Sequence, residues 1–126
     1  RMPNLNAALG VAQLEQLPQI LLAKSDLYRQ YEEEFSSITG VNLLKEPPDT
    51  KSNYWLQTLV LSPDQRHERD QIFRTTNNSG LMTRPAWVPL YRLKPYQASP
   101  KMDLSQTDYW YDLLINIPSS VSFGKR

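Results

Sequence analysis

Acid–base or covalent chemistry in this chain would have to be built from one histidine, a short run of acids, six lysines and scattered serines, because there is no cysteine. His67 stands among Arg66, Glu68, Arg69 and Asp70. That is the setting of a solvated helix face, not of a metal ligand, which needs several converging donors. No serine has another histidine to serve as its base. Glu32, Glu33 and Glu34 are consecutive, so on a helix they point in different directions and read as solvated surface. The glycines, at 10, 40, 80 and 124, have the spacing of neither a dinucleotide fingerprint nor a phosphate loop. The sequence therefore offers no complete catalytic constellation. It does offer groups suited to recognition. Arg84, with Trp87 three residues on and Tyr91 beyond it, opens a proline-rich stretch. An arginine there can clamp a phosphate or carboxylate fork to fork, or it can lie on the Trp87 ring as surface packing.

The elements that must position these groups follow from periodicity and punctuation. "RMPNLNAALGVAQLEQL" is apolar on two sides. Leu5, Ala8, Leu9 and Ala12 form one helical stripe, and Ala7, Val11 and Leu14 form a second. A surface helix carries a single stripe. Two stripes predict a helix over 4–16 sandwiched between its own domain and a second body. Pro18, tolerated in a first turn, predicts a new helix start. Its stripe would be Ile20, Ala23, Leu27, Tyr31, Phe35 and Ile38, ending at Gly40. "EPPDTKSN" reads as a loop, and "YWLQTLVL" as a buried central strand. Ser62 and Pro63 predict a helix entry, with the helix running on to Gly80. "LMTRPAWVPLYRLKPYQASP" predicts a short strand and then an extended arm, since its prolines remove backbone donors. A helix over 109–114 and a short strand or turn in "LINIPSS" complete an α+β fold, a small sheet with packed helices. The polar end "SFGKR" is predicted to fray.

At 126 residues, 40% hydrophobic, the chain fits one domain able to bury roughly two-thirds of its surface. A net charge of +1 without a basic block argues against a nucleic-acid partner. No run is long enough for a membrane span. No signal segment and no cysteine predict a cytoplasmic location.

Several stretches resemble, in order, the C-terminal small domain of DegT-type sugar aminotransferases. Arg1, Ala7, Ala8, Gly10, Gln13, Leu14 and Glu15 match its opening segment, and Arg29, Tyr31 and Phe35 its following helix. "NYWLQTLVL" is similar to its strand, "ERDQIFRTTNNSGLMTRPAWVPLYRLKPY" to its Arg-Pro arm, and "INIPSS" to its closing loop. The arm resembles the branch that makes amino sugars for surface polysaccharides, such as bacillosamine or legionaminic acid precursors. The resemblance implies the small domain of a fold-type I, pyridoxal-phosphate-dependent homodimer that moves an amino group from glutamate to a nucleotide-linked keto-sugar. It also implies that the large domain, with the Schiff-base lysine and the phosphate-binding residues, lies before Arg1. No catalytic residue and no bound cofactor are then expected in this chain, which would be inactive alone. "SFGK" imitates the family's Ser-Phe before its lysine, but a reactive lysine must be desolvated or held beside a cation, and a frayed Lys125 is neither. The resemblance further implies that Arg84, Trp87 and Tyr91 bind substrate, Tyr91 standing where many relatives carry histidine, and that Arg1 approaches the neighbouring subunit's active site. The competing class is a free-standing α+β interaction module without catalysis.

Overall fold

The computed structural model describes residues 2–121. Arg1 and Lys125 lie outside them, and so does the rest of the polar end. The chain opens with one helix, α1 (Asn4–Phe35), with Pro18 inside it. The expected break at Pro18 is corrected. Inside a helix, proline removes its own N–H bond to the carbonyl four residues back and crowds that carbonyl with its ring, which kinks the helix more often than it ends it. Here that carbonyl, on Leu14, lies on an exposed part of the helix that solvent can reach. The helix stops at Phe35, before Gly40. Gly40, with φ at 87°, instead makes the turn into β1 (Val41–Leu43), and the Gln65 side chain fills the space its Cβ would need.

The sheet has the order β1, β2 (Gln57–Leu61), β4 (Leu114–Ile117), β3 (Arg84–Pro85), and every neighbouring pair is antiparallel. Period-2 alternation sends Leu59 and Leu61 of β2 and Ile115 and Ile117 of β4 to one face. Leu59 pairs with Ile115, which is completely buried. Tyr31 and Phe35 of α1 close over this face, joined by Ile72 and Phe73 of α2 (Arg69–Asn78). The expected helix after Ser62 is present, but its first six residues, Pro63–Glu68, form a 3-10 helix. "LINI" is an inner strand, entered directly from α3 (Ser105–Leu113). β3 is a two-residue edge, where Pro85 needs no donor toward a further strand. The arm beyond it is not extended throughout, since Leu90–Arg92 and Lys94–Tyr96 form 3-10 turns.

The expectation that one stripe of the first segment packs on its own domain is also corrected. Leu9 is 63% exposed on the first stripe and Val11 56% on the second, and Leu5 and Leu14 are exposed with them. The cause is length. A 32-residue helix is about 48 Å long, whereas strands of three to five residues span only about 10–17 Å. The sheet meets α1 only from about Ile20 onward, and Tyr28 is its buried residue. No helix among the described residues is long and apolar enough to cross a membrane.

Candidate functional site

Arg84 lies on edge strand β3, opposite Asn116 of β4. Its side chain enters a cleft of about 630 Å³ that also takes in Lys24, Trp55, Met82, Asn116 and Ser120. Among the described residues the Arg84 guanidinium makes no hydrogen bond or ion pair. Trp87 does not cover it. The Trp87 ring stacks instead on Trp55, centroids 5.8 Å apart and planes 20° apart. Both rings stay open to solvent, at 69% and 62%.

Trp55 is placed by its own loop and by α1. Asn53 accepts the Trp55 N–H at 3.0 Å through its side chain, and Ser52 accepts that of Tyr54 at 3.0 Å. These local bonds are the usual turn chemistry of Ser and Asn. They leave Tyr54 at a φ of 46°, the left-handed region, which costs a bulky residue roughly 1–2 kcal/mol. Its ring offsets this by stacking on Tyr28 at 4.5 Å. Buried against Glu32, the Tyr28 hydroxyl has its pKa pushed up to about 12, first by burial and then by the carboxylate charge. It therefore stays a neutral donor.

Lys24 stands on α1, off the stripe of Ile20, Ala23 and Leu27. It is half-buried, and its ammonium donates to the backbone carbonyls of Trp55, at 3.2 Å, and Ser119. Burial lowers its pKa. Gln57, buried at the start of β2, ties the same place together. Its Nε2 donates to the Lys24 carbonyl at 3.3 Å and its backbone N–H to Ser119 Oγ at 2.7 Å. Lys24 and Trp55 thus line the same cleft as Arg84, a placement that sequence reasoning missed. Their contacts span 31 and 95 positions of chain, so no local pattern signals them.

Tyr91 is elsewhere. Its hydroxyl donates to Asp108 of α3, and Arg92 pairs with the same carboxylate while lying over the Tyr91 and Tyr111 rings. Of the three expected substrate residues, the structure brings Arg84 and Trp87 to one region and gives Tyr91 to the anchoring of the arm on α3. These bonds, that from Tyr91 first, hold the Asp108 carboxyl below its ordinary value. A carboxyl depressed on folding stabilises the fold fully above its unfolded pKa, and that stability is lost as the pH falls through the folded value. Tyr91→Phe is therefore expected to lower the urea midpoint near neutral pH and to flatten its decline below about pH 4, as read from denaturation curves at several pH values. His67 is exposed, its ring 3.1 Å from Glu68, as expected of a solvated face. Among the described residues no group of three metal-ligating side chains converges.

Comparison with known proteins agrees with this architecture. The family model of the DegT/DnrJ/EryC1/StrS aminotransferases matches residues 1–126. GDP-perosamine synthase of Vibrio cholerae is 32% identical over 120 residues, covering 94% of this chain and 32% of that protein. The Escherichia coli O157:H7 enzyme of the same name is 28% identical over 127 residues, 100% of this chain and 33% of that protein. The chain thus spans about a third of the length of these relatives. Two solved structures share the fold at low identity. PseC of Helicobacter pylori, an aminotransferase of pseudaminic acid biosynthesis, has a TM-score of 0.84 at 19% identity, covering 94% of this chain and 32% of that one. The pyridoxal-phosphate form of the putative sugar aminotransferase Spr1654 of Streptococcus pneumoniae has 0.84 at 20%, covering 98% and 32%. The small antiparallel sheet with its helices therefore shares the fold of the matching third of these two structures, and the chain belongs to the DegT/DnrJ/EryC1/StrS aminotransferase family.

Proposed function

We propose that the chain is the C-terminal small domain of a pyridoxal-phosphate-dependent enzyme that transfers the amino group of glutamate to a nucleotide-linked keto-sugar. One observation carries this reading: the family match runs the whole length of the chain, yet the chain covers only a third of relatives whose names describe sugar amination. Those names span GDP-, dTDP- and UDP-linked sugars. What they have in common is a sugar on a nucleoside diphosphate. In the complete enzyme, glutamate's nitrogen replaces the keto oxygen and glutamate leaves as 2-oxoglutarate. A homodimer, a cytoplasmic location and a role in surface polysaccharide synthesis belong to the same proposal. Part of its support is the exposed two-striped half of α1, which a large domain or second subunit would cover.

The residues described here do not fit the cofactor, which supplies the carrier for the amino group when bound. Lys24 holds its ammonium on two carbonyls. Lys45, Lys51, Lys94 and Lys101 are exposed, without the desolvated pocket in which a lysine becomes a nucleophile. The space at Gly40 is filled by Gln65, which leaves no close backbone approach for a phosphate. No step of the transfer is assigned to these residues, and the chain alone is expected to be inactive.

The part assigned to this chain is to hold the nucleotide-sugar, with Arg84 as the clamp. Charge-assisted hydrogen bonds are worth about 1.5–3 kcal/mol, so Arg84→Ala in the complete enzyme is expected to lower kcat/KM for the nucleotide-sugar about tenfold or more. The value for glutamate should stay nearly unchanged. Steady-state kinetics with each substrate varied in turn reads the difference, and an equal loss on both substrates, or none, removes Arg84 from this role. The activity itself is tested by incubating the complete protein with glutamate and GDP-, dTDP- or UDP-linked keto-sugars. Production of 2-oxoglutarate with an amino sugar, identified by mass spectrometry, is expected. No amination of any of them would overturn the reading.

A further inference from the structure

The arm, residues 86–104, has little apolar packing to hold it in place. None of its residues is buried, and Leu90 and Met102 stand 67% and 87% exposed. The backbone N–H groups of Arg92, Leu93, Tyr96 and Ser99 each donate to a carbonyl three residues back, inside the arm itself. Turns of this 3-10 type are too short and too poorly aligned to be stable alone. A segment with so few buried contacts and so much exposed backbone belongs to the low-stability end of a fold. Yet the arm lies against α3, so something other than apolar burial holds it there.

What holds it is a ladder of alternating rings and cations. Its rungs are Phe73 and Arg69 of α2, Tyr111 of α3, and then Arg92, Tyr91 and Lys101 of the arm. The cation-to-centroid distances along that order are 5.7, 5.2, 4.8, 5.9 and 5.1 Å, all within reach of the ring quadrupole. Tyr111 is the central rung, because it alone carries a guanidinium from the body of the fold and one from the arm. Two cations at one ring repel unless each is neutralised. Asp112 pairs with Arg66 and Arg69, and Asp108 with Arg92 and the Tyr91 hydroxyl. Asp108, Tyr111 and Asp112 stand at i, i+3 and i+4, which puts them on one face of α3. Lys101 on the Tyr91 ring ties the returning limb of the arm to the outgoing one.

We propose that the arm is a strap that opens and closes as a unit while the sheet stays folded, and that the ladder through Tyr111 is its latch. The strap begins at the cleft beside β3, where Trp87 rests on Trp55, a ring that lines that cleft. Opening the latch therefore frees the segment that covers this ring. Prolines at 89, 95 and 100 fix their own φ angles and restrict the released arm, so it recloses from few conformations. The latch is a property of the fold and holds whatever molecule the complete protein takes, so it stands apart from the function proposed above.

The test is native-state hydrogen exchange of the protein in low urea, read by mass spectrometry on peptides from the arm and from β2 and β4. The arm amides of Arg92, Leu93, Tyr96 and Ser99 are expected to exchange together through an opening almost independent of urea. The amides of β2 and β4 should exchange with the full urea slope of global unfolding. Arg92→Gln, a substitution at an exposed residue, should speed the arm amides about tenfold, since it removes both a charge-assisted pair and a rung. Tyr111→Leu should do the same, and Tyr111→Phe, which keeps the ring face, should stay within about twofold of the parent. In every variant the β2 and β4 amides should keep their urea slope, which shows that the sheet is still folded. Arm amides that share the rate and urea slope of the sheet in the parent protein would overturn the strap. Unchanged arm exchange in Arg92→Gln, or a Tyr111→Phe effect equal to that of Tyr111→Leu, would overturn the latch.

Discussion

Ile115→Ala is expected to lower the stability of the fold by about 2–5 kcal/mol, the cost of emptying a fully buried branched site. The residue has no exposed surface, sits on inner strand β4, pairs with Leu59 of β2 and joins the only buried cluster among the described residues. That cluster has five members, and native stability is ordinarily only about 5–15 kcal/mol, so one cavity removes a large part of it. Equilibrium urea unfolding reads the change. Leu90→Ala, at an exposed position of the arm, should fall within about 0.5 kcal/mol of the parent. A loss at Ile115 no larger than that at Leu90 would mean that the sheet face is not the core.

The second large effect concerns α1. Val11→Asp should leave the unfolding midpoint of the 126-residue chain almost unchanged, because Val11 is half exposed in it. In the complete protein the same change should be severe. There the two stripes are proposed to be covered, and burying an unpaired carboxylate costs several kcal/mol even after relaxation. The expected result is a lower Tm, with a shift of the complete protein to smaller species in sedimentation. An equal and small effect in both contexts would mean that this half of α1 is solvated in the assembled protein too.

Both predictions draw on features that differ in how well they can be read from the chain. β2 is legible because "LQTLVL" is apolar with β-branched residues, and the edge character of β3 because Pro85 forbids a partner on its far side. The two stripes of α1 are legible as a pattern, but which stripe faces what is not, since that depends on how far the helix overhangs a sheet assembled from later residues. Pro18 misleads because its cost depends on whether water can reach the freed carbonyl, a tertiary property. β1 has three residues behind Gly40, too few for a period to emerge. Ile115 is central because β4 lies between β2 and β3, an order that local sequence does not encode. In the site, Arg84 and Trp87 stand out as a charged fork and a ring in a proline arm. Trp55 reads as the start of a strand and Lys24 as a solvated helix residue until the fold brings the carbonyls of Trp55 and Ser119 to the Lys24 ammonium. Tyr91 looks like a member of the same arm, but the 3-10 turn at Leu90–Arg92 directs its hydroxyl to Asp108.

The central claim, that this chain is the domain that holds substrate and not the one that holds the cofactor, is tested most directly by trapping the cofactor. The complete protein is loaded with pyridoxal phosphate, reduced with borohydride, digested and mapped by mass spectrometry. An unperturbed lysine has a pKa of about 10.4 and is almost wholly protonated near neutral pH, so a stoichiometric adduct marks the one lysine whose surroundings activate it. A single modified lysine outside residues 1–126 is expected. A stoichiometric adduct on Lys24, Lys45, Lys51, Lys94, Lys101 or Lys125 would contradict it.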